Sequence, residues 1–166
     1  MIKAKLIVTA LLLITLSGCS FFGSNHPKDE RLIEDLRNNR AEFERLLAMF
    51  RADEKLYRVA RDFTRPENAQ AADVDGERLA EYRMLLGKLR LHGGIEGYAP
   101  KDVIWFHAST KGLGVSGSSK GYAYLERPPE LLVRDLDHYE RTKGGRSFSA
   151  YRHIEGNWYL YLDFED

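Results

Sequence analysis

The chain has 166 residues, 43% of them hydrophobic and 30% charged, and its 25 Lys and Arg balance its 25 Asp and Glu. That length suits one domain with a sizeable core, and the even charge gives no electrostatic footprint for a nucleic-acid partner. With a single cysteine there is no intramolecular disulfide, so a folded domain must be held by its core.

The chain opens with Lys3 and Lys5, followed by an apolar run from Leu6 to Leu16. A basic start and a short apolar core read as an export signal. The run falls well short of the roughly 20 residues that a spanning helix needs. Behind it stand Leu16, Ser17, Gly18 and Cys19. This tetrapeptide resembles the lipobox of bacterial lipoproteins, in which small residues precede a cysteine that is acylated before cleavage. The resemblance implies that residues 1–18 are a cleaved signal peptide recognised through Leu16, Ser17 and Gly18. It also implies that Cys19 is the lipid attachment site and that the membrane is a partner through that lipid. One acyl chain binds only marginally, whereas the two or three that the resemblance implies would hold the protein permanently. Ser20, rather than Asp, after the cysteine implies delivery to the outer membrane, facing the periplasm.

Residues 19–27 are small, polar and broken by Gly23 and Pro27, which predicts a flexible tether. A single domain is expected over 28–166, with 28–94 mainly helical. From Lys28 to Phe63, Leu32, Leu36, Phe43, Leu46, Leu47, Phe50, Leu56, Val59 and Phe63 recur at helical spacing. Unbroken, that helix would reach about 54 Å at 1.5 Å per residue, too long for the domain. A break is therefore expected near Ala52 to Lys55. A second amphipathic helix is predicted from an N-cap at Asp75, with Leu79, Tyr82, Leu86 and Leu89 on one face and Gly93 and Gly94 as its stop.

The pattern then changes to period two over 99–166, which is expected to be mainly β. Strands are predicted at Val103–Ala108, Gly121–Glu126, Phe148–Ile154 and Trp158–Glu165, the last two joined through Glu155, Gly156 and Asn157. Pro128 and Pro129 should open a short helix over 130–141. In the final strand Trp158, Leu160, Leu162 and Phe164 point one way, while Tyr159, Tyr161, Asp163 and Glu165 point the other, which predicts a half-buried antiparallel strand. The expected fold class is α+β, with N-terminal amphipathic helices packed on a small C-terminal antiparallel sheet of about four strands.

Candidate chemistry is sparse. Gly112, Gly114 and Gly117 match G-x-G-x-x-G, but a phosphate-binding use needs a following helix. The sequence here continues as a strand, so the stretch to Gly121 reads as a hairpin loop. His107, His138 and His153, with Asp137 and Asp163, lack the spacing of a metal site or a catalytic triad. No cofactor and no metal are expected. The alternation gathers Trp105, His107, Tyr122, Tyr124, Tyr159 and Tyr161 on one face, joined by Tyr151 and His153. Rings with a polar tip suit contacts with a glycan or protein, and cross-strand pairing of the rings accounts for the same pattern.

The reading that follows is a membrane-anchored envelope lipoprotein whose domain is a non-catalytic binding or structural module. Its binding face would comprise Trp105, Tyr122, Tyr124, Tyr159 and Tyr161, toward an unidentified envelope protein or glycan. The rival is a small envelope hydrolase or ligand-binding enzyme using His107 or His138 near the Gly112–Gly121 loop.

Overall fold

A computed structural model describes residues 26–113, 116–143 and 146–166. Leu16, Ser17, Gly18, Cys19 and Gly114 lie outside the described residues. Two helices come first, α1 (Asp29–Asn38) and α2 (Arg40–Ala52), followed by the short strands β1 (Arg58–Val59) and β2 (Thr64–Arg65). A 3₁₀ turn and α3 (Gly76–Lys88) lead to β3 (Gly94–Gly97), β4 (Val103–Leu113) and β5 (Ser116–Leu125). Helix α4 (Leu136–Lys143) precedes the hairpin of β6 (Phe148–Glu155) and β7 (Trp158–Glu165). The strands form one antiparallel sheet in the order β2-β1-β3-β4-β5-β7-β6. Among the described residues no helix is long and apolar enough to cross a membrane.

The α+β class holds, with two corrections. The sheet has seven strands rather than about four, because 57–65 and 94–97, expected to be helix or loop, add three at one side. Strand and helix also interleave, so the helices are not confined to the N-terminal half. The long helix expected from Lys28 ends at Ala52, but it is interrupted earlier as well, at Asn39 (φ −122°, ψ 31°). The Asn39 side chain donates to Asp35 O (2.8 Å), closing α1, while its carbonyl accepts from the N–H groups of Glu42 and Phe43 (3.1 Å each) to start α2. Asp75 caps α3 as expected, accepting from the Arg78 N–H at 2.7 Å.

Apolar stripes of α1, α2 and α3 pack on one face of the sheet. Phe43 of α2 sits among Phe106, Tyr122 and Trp158, with ring centroids 5.9, 4.7 and 5.7 Å away. Leu36, Leu46, Phe50, Leu160 and Leu162 are completely buried there. Each such side chain removes from water apolar area worth about 1.5–3 kcal/mol.

Two glycines are required by close approach. At Gly121 a Cβ would lie 2.0 Å from the Phe106 carbonyl oxygen, where β4 bulges between His107 and Ser109. At Gly94 (φ +87°) it would lie 2.0 Å from Val59 O of β1.

Lys120 is fully buried on the helix-facing side. Its Nζ lies 2.6 Å from Asp29 Oδ1 and 2.7 Å from Asp137 Oδ1, and Arg152 Nη1 is 3.0 Å from Asp29 Oδ2. Two cations thus face two carboxylates, tying the first turn of α1 to β5, β6 and α4. His26, which the sequence assigned to the tether, belongs to this edge of the domain. It is 6% exposed, and its ring bonds Ser109 Oγ (3.0 Å) and Ser118 Oγ (2.8 Å).

Candidate functional site

The sheet's second face, away from the helices, is ordered by register. Arg65, Arg58, Glu96, Trp105, Ala123, Tyr159 and His153 form one cross-strand row. Gly94, His107, Gly121, Tyr161 and Tyr151 form the next. The small residues of β5, Gly121 and Ala123, leave room for the large side chains of β4 and β7 to lean over them. Tyr161 is completely buried and Tyr159 is 6% exposed, in a second apolar cluster with Ala123, Leu125, Val103, Trp105 and Tyr151.

This placement divides the expected aromatic face. Trp105, Tyr159, Tyr161, Tyr151, His107 and His153 do share a side. Tyr122 and Tyr124 lie on the opposite one, in and beside the helix-facing core. The parity explains it: Tyr122 pairs with Leu160 and Tyr124 with Trp158, both core residues. The final strand is covered on both sides rather than half-buried, because Tyr159 and Tyr161 carry a core of their own.

Residues 127–133 supply part of that cover. The Val133 N–H donates to Tyr151 O (2.8 Å) and the Tyr151 N–H donates to Leu131 O (3.0 Å), a parallel bridge along β6. These bonds hold the segment extended where a helix was expected after Pro128 and Pro129. The helix starts later, where Asp135 accepts from the His138 N–H at 2.7 Å. Between this strap and the sheet lies a cavity of about 650 Å³. Val103, Trp105, Leu125, Pro128, Pro129, Leu131, Phe148 and Tyr151 give it apolar and ring surfaces, with Arg127, Glu130 and Ser149 as its polar lining. Asp163 Oδ1 on the same face is buried without a hydrogen-bond partner among the described residues.

His107 organises the polar part of the face. Its Nε2 lies 3.2 Å from Glu96 Oε2, and its Nδ1 lies 2.5 Å from the Tyr161 hydroxyl and 3.1 Å from Ser119 Oγ. The hydrogen bond with His107 holds the Glu96 carboxyl below its ordinary range against the effect of burial, with Arg58 and Tyr98 adding to it. An ionised carboxylate only accepts, so Nε2 carries a proton toward Glu96. The shortest bond to Nδ1 comes from Tyr161, whose oxygen is 2.6 Å from Ser119 Oγ.

Burial pushes the ionisation of Tyr161 up. Ser119 and Tyr161 thus share His107 Nδ1, with Glu96 on the other ring nitrogen. His138 is exposed on α4, and the cavity under the strap is lined by neither histidine. The glycine stretch lies within the β4–β5 hairpin, with Gly112 paired to Gly117, so no helix follows it.

Asp29, Asp135 and Asp137 bring carboxylate oxygens close enough to suggest a cation site. Lys120 already occupies the charge position between Asp29 and Asp137.

Sequence reasoning missed Arg58, Glu96 and Tyr98. They lie around strands of two and four residues, too short to show period two. No protein family, curated protein or solved structure matches the chain.

Proposed function

We propose that this chain is an envelope lipoprotein, anchored through lipid on Cys19 at the periplasmic side of the outer membrane. Its α+β domain is a binding module that takes an apolar group between the 127–133 strap and the sheet. The cavity beside Trp105 and Tyr151 supports this reading. It combines apolar walls, rigid rings and a few isolated polar groups, the make-up of small-molecule sites. The basic start, the apolar run and Leu16-Ser17-Gly18-Cys19 support the anchor.

Titration of the purified protein with an apolar probe such as palmitate tests the cavity. Binding should change the Trp105 fluorescence, with Trp158 buried in the helix-facing core as a steady background. Tyr151→Ala should weaken binding at least tenfold. A Trp105 signal unmoved by the probe would overturn the site. Metabolic labelling with a fatty-acid analogue tests the anchor: Cys19→Ser should lose the label and keep residues 1–18, since a hydroxyl replaces the thiolate nucleophile. Label retained on the serine variant would overturn the lipoprotein reading.

A further inference from the structure

Six large apolar side chains are well exposed among the described residues, and three of them, Tyr57, Phe63 and Tyr98, line a single cleft at the β2-β1-β3 side of the sheet. Arg58, Arg65 and Glu96 complete its lining, and its volume is about 310 Å³. Tyr57 and Tyr98 stack on each other at 5.9 Å with 25° between their planes. The guanidinium carbons of Arg58 and Arg65 each lie 5.3 Å from the Phe63 ring centre. Elsewhere most of the aromatic rings are buried, so this grouping marks a surface that the fold itself does not use.

The polar groups are held rather than loose. Arg58 Nη1 is 3.0 Å from Glu96 Oε2, and the Tyr98 hydroxyl donates to Glu96 Oε1 at 3.0 Å. The Glu96 carboxylate is fixed from behind by His107. Arg65 is the accessible cation, 54% exposed, and among the described residues it pairs with Glu67, itself 86% exposed. Such a surface pair contributes little and is easily exchanged for a ligand carboxylate.

We propose that this cleft binds a saccharide that carries a carboxylate. The flat apolar face of a sugar ring packs on Tyr57 and Tyr98, whose bodies are apolar and whose tips are polar. Glu96 accepts from ring hydroxyls, and Arg65, with Arg58 behind it, takes the acid through the planar fork of its guanidinium. A purely apolar ligand would cover the Arg65 guanidinium without offering it a partner, which is costly. The size is at the lower end for ligand sites, which suits one or two rings rather than a long chain. This site is separate from the cavity under the strap, so either can fail alone.

The test is a titration of the full-length protein in detergent micelles, followed by the NMR signals of the Tyr ring protons. Trigalacturonate is the acidic probe, chitotriose the neutral one and glutamate the simple anion. Trigalacturonate should bind at least tenfold more tightly than either of the others. Tyr98→Ala and Arg65→Ala should each weaken it tenfold or more, with the thermal midpoint unchanged because both side chains are exposed. Absence of trigalacturonate binding, equal affinity for chitotriose or glutamate, or binding indifferent to both substitutions would overturn the proposal.

Discussion

The two faces of strands β5 and β7 solve the same burial problem with different means. On one face, helices α1 to α3 bring Leu, Phe and Met side chains that were made apolar by helical periodicity, and the sheet answers with Leu160, Leu162, Tyr122 and Trp158. On the other, the sheet covers itself: Trp105, Tyr151, Tyr159 and Tyr161 close over the small residues of β5, and an extended strap finishes the cover. The first arrangement fills its space and uses its charges in a closed network around Lys120. The second leaves a cavity of about 650 Å³ beneath its strap. Incomplete closure in a face built of rings is where ligand space arises.

If both faces are covered, charge on either should be ruinous. Leu160→Asp and Tyr161→Asp are both expected to unfold the domain, because an uncompensated buried charge costs several kcal/mol against a total of about 5–15 kcal/mol. Thermal melts decide it; a folded Tyr161→Asp protein would show that the ring face is open.

Next in size, Lys120→Met should destabilise by about 3–5 kcal/mol, since it leaves Asp29 with Arg152 alone and takes from Asp137 its cation. Denaturant unfolding measures this, and a loss under 1 kcal/mol would mean that the network is incidental.

A smaller effect comes from His26, whose pKa is lowered to about 4 by burial and by the nearby Lys111 and Lys120. The unfolded chain then binds more protons than the folded one between about pH 6.5 and pH 4. The stability that His26 contributes is complete above pH 6.5 and is lost as pH falls through that window, on the order of 2 kcal/mol. His26→Gln should flatten this part of the pH profile in thermal melts; an unchanged profile would contradict the buried, neutral ring.

The smallest effect sharpens the contrast between the faces. Burial raises the Asp163 carboxyl above its ordinary value despite Ser149 and His107, so its ionisation opposes folding as pH rises. Asp163→Asn is expected to stabilise the protein at pH 7 and to change little at pH 3. Equal effects at both pH values would assign the gain to packing instead.

The final strand was legible to the residue, Trp158 to Glu165, because eight residues of strict alternation leave no helical alternative. Helix α3 was legible through Asp75 and its apolar face. The break at Asn39 was not, since an asparagine closes a helix there without the glycine or proline that normally signals it. Strands β1 and β2 were hidden because pairing, not propensity, makes two-residue strands. The faces of β5 were misassigned because parity within one strand does not fix its register against the next, and only the pairing of Tyr122 with Leu160 settles which rings meet the helices. The Arg58–Glu96–His107 line joins residues 49 positions apart, which no local pattern displays.

Residues 131–133 of the strap also sit along the outer margin of β6. The opposite margin, β2, is two residues long and runs into Pro66, which has no N–H to offer. Exposed strand margins are templates for adding a neighbour's strand. Copies held on a membrane by the proposed lipid anchor would meet often and in similar orientation. Blunting both margins would keep such encounters from growing into extended assemblies.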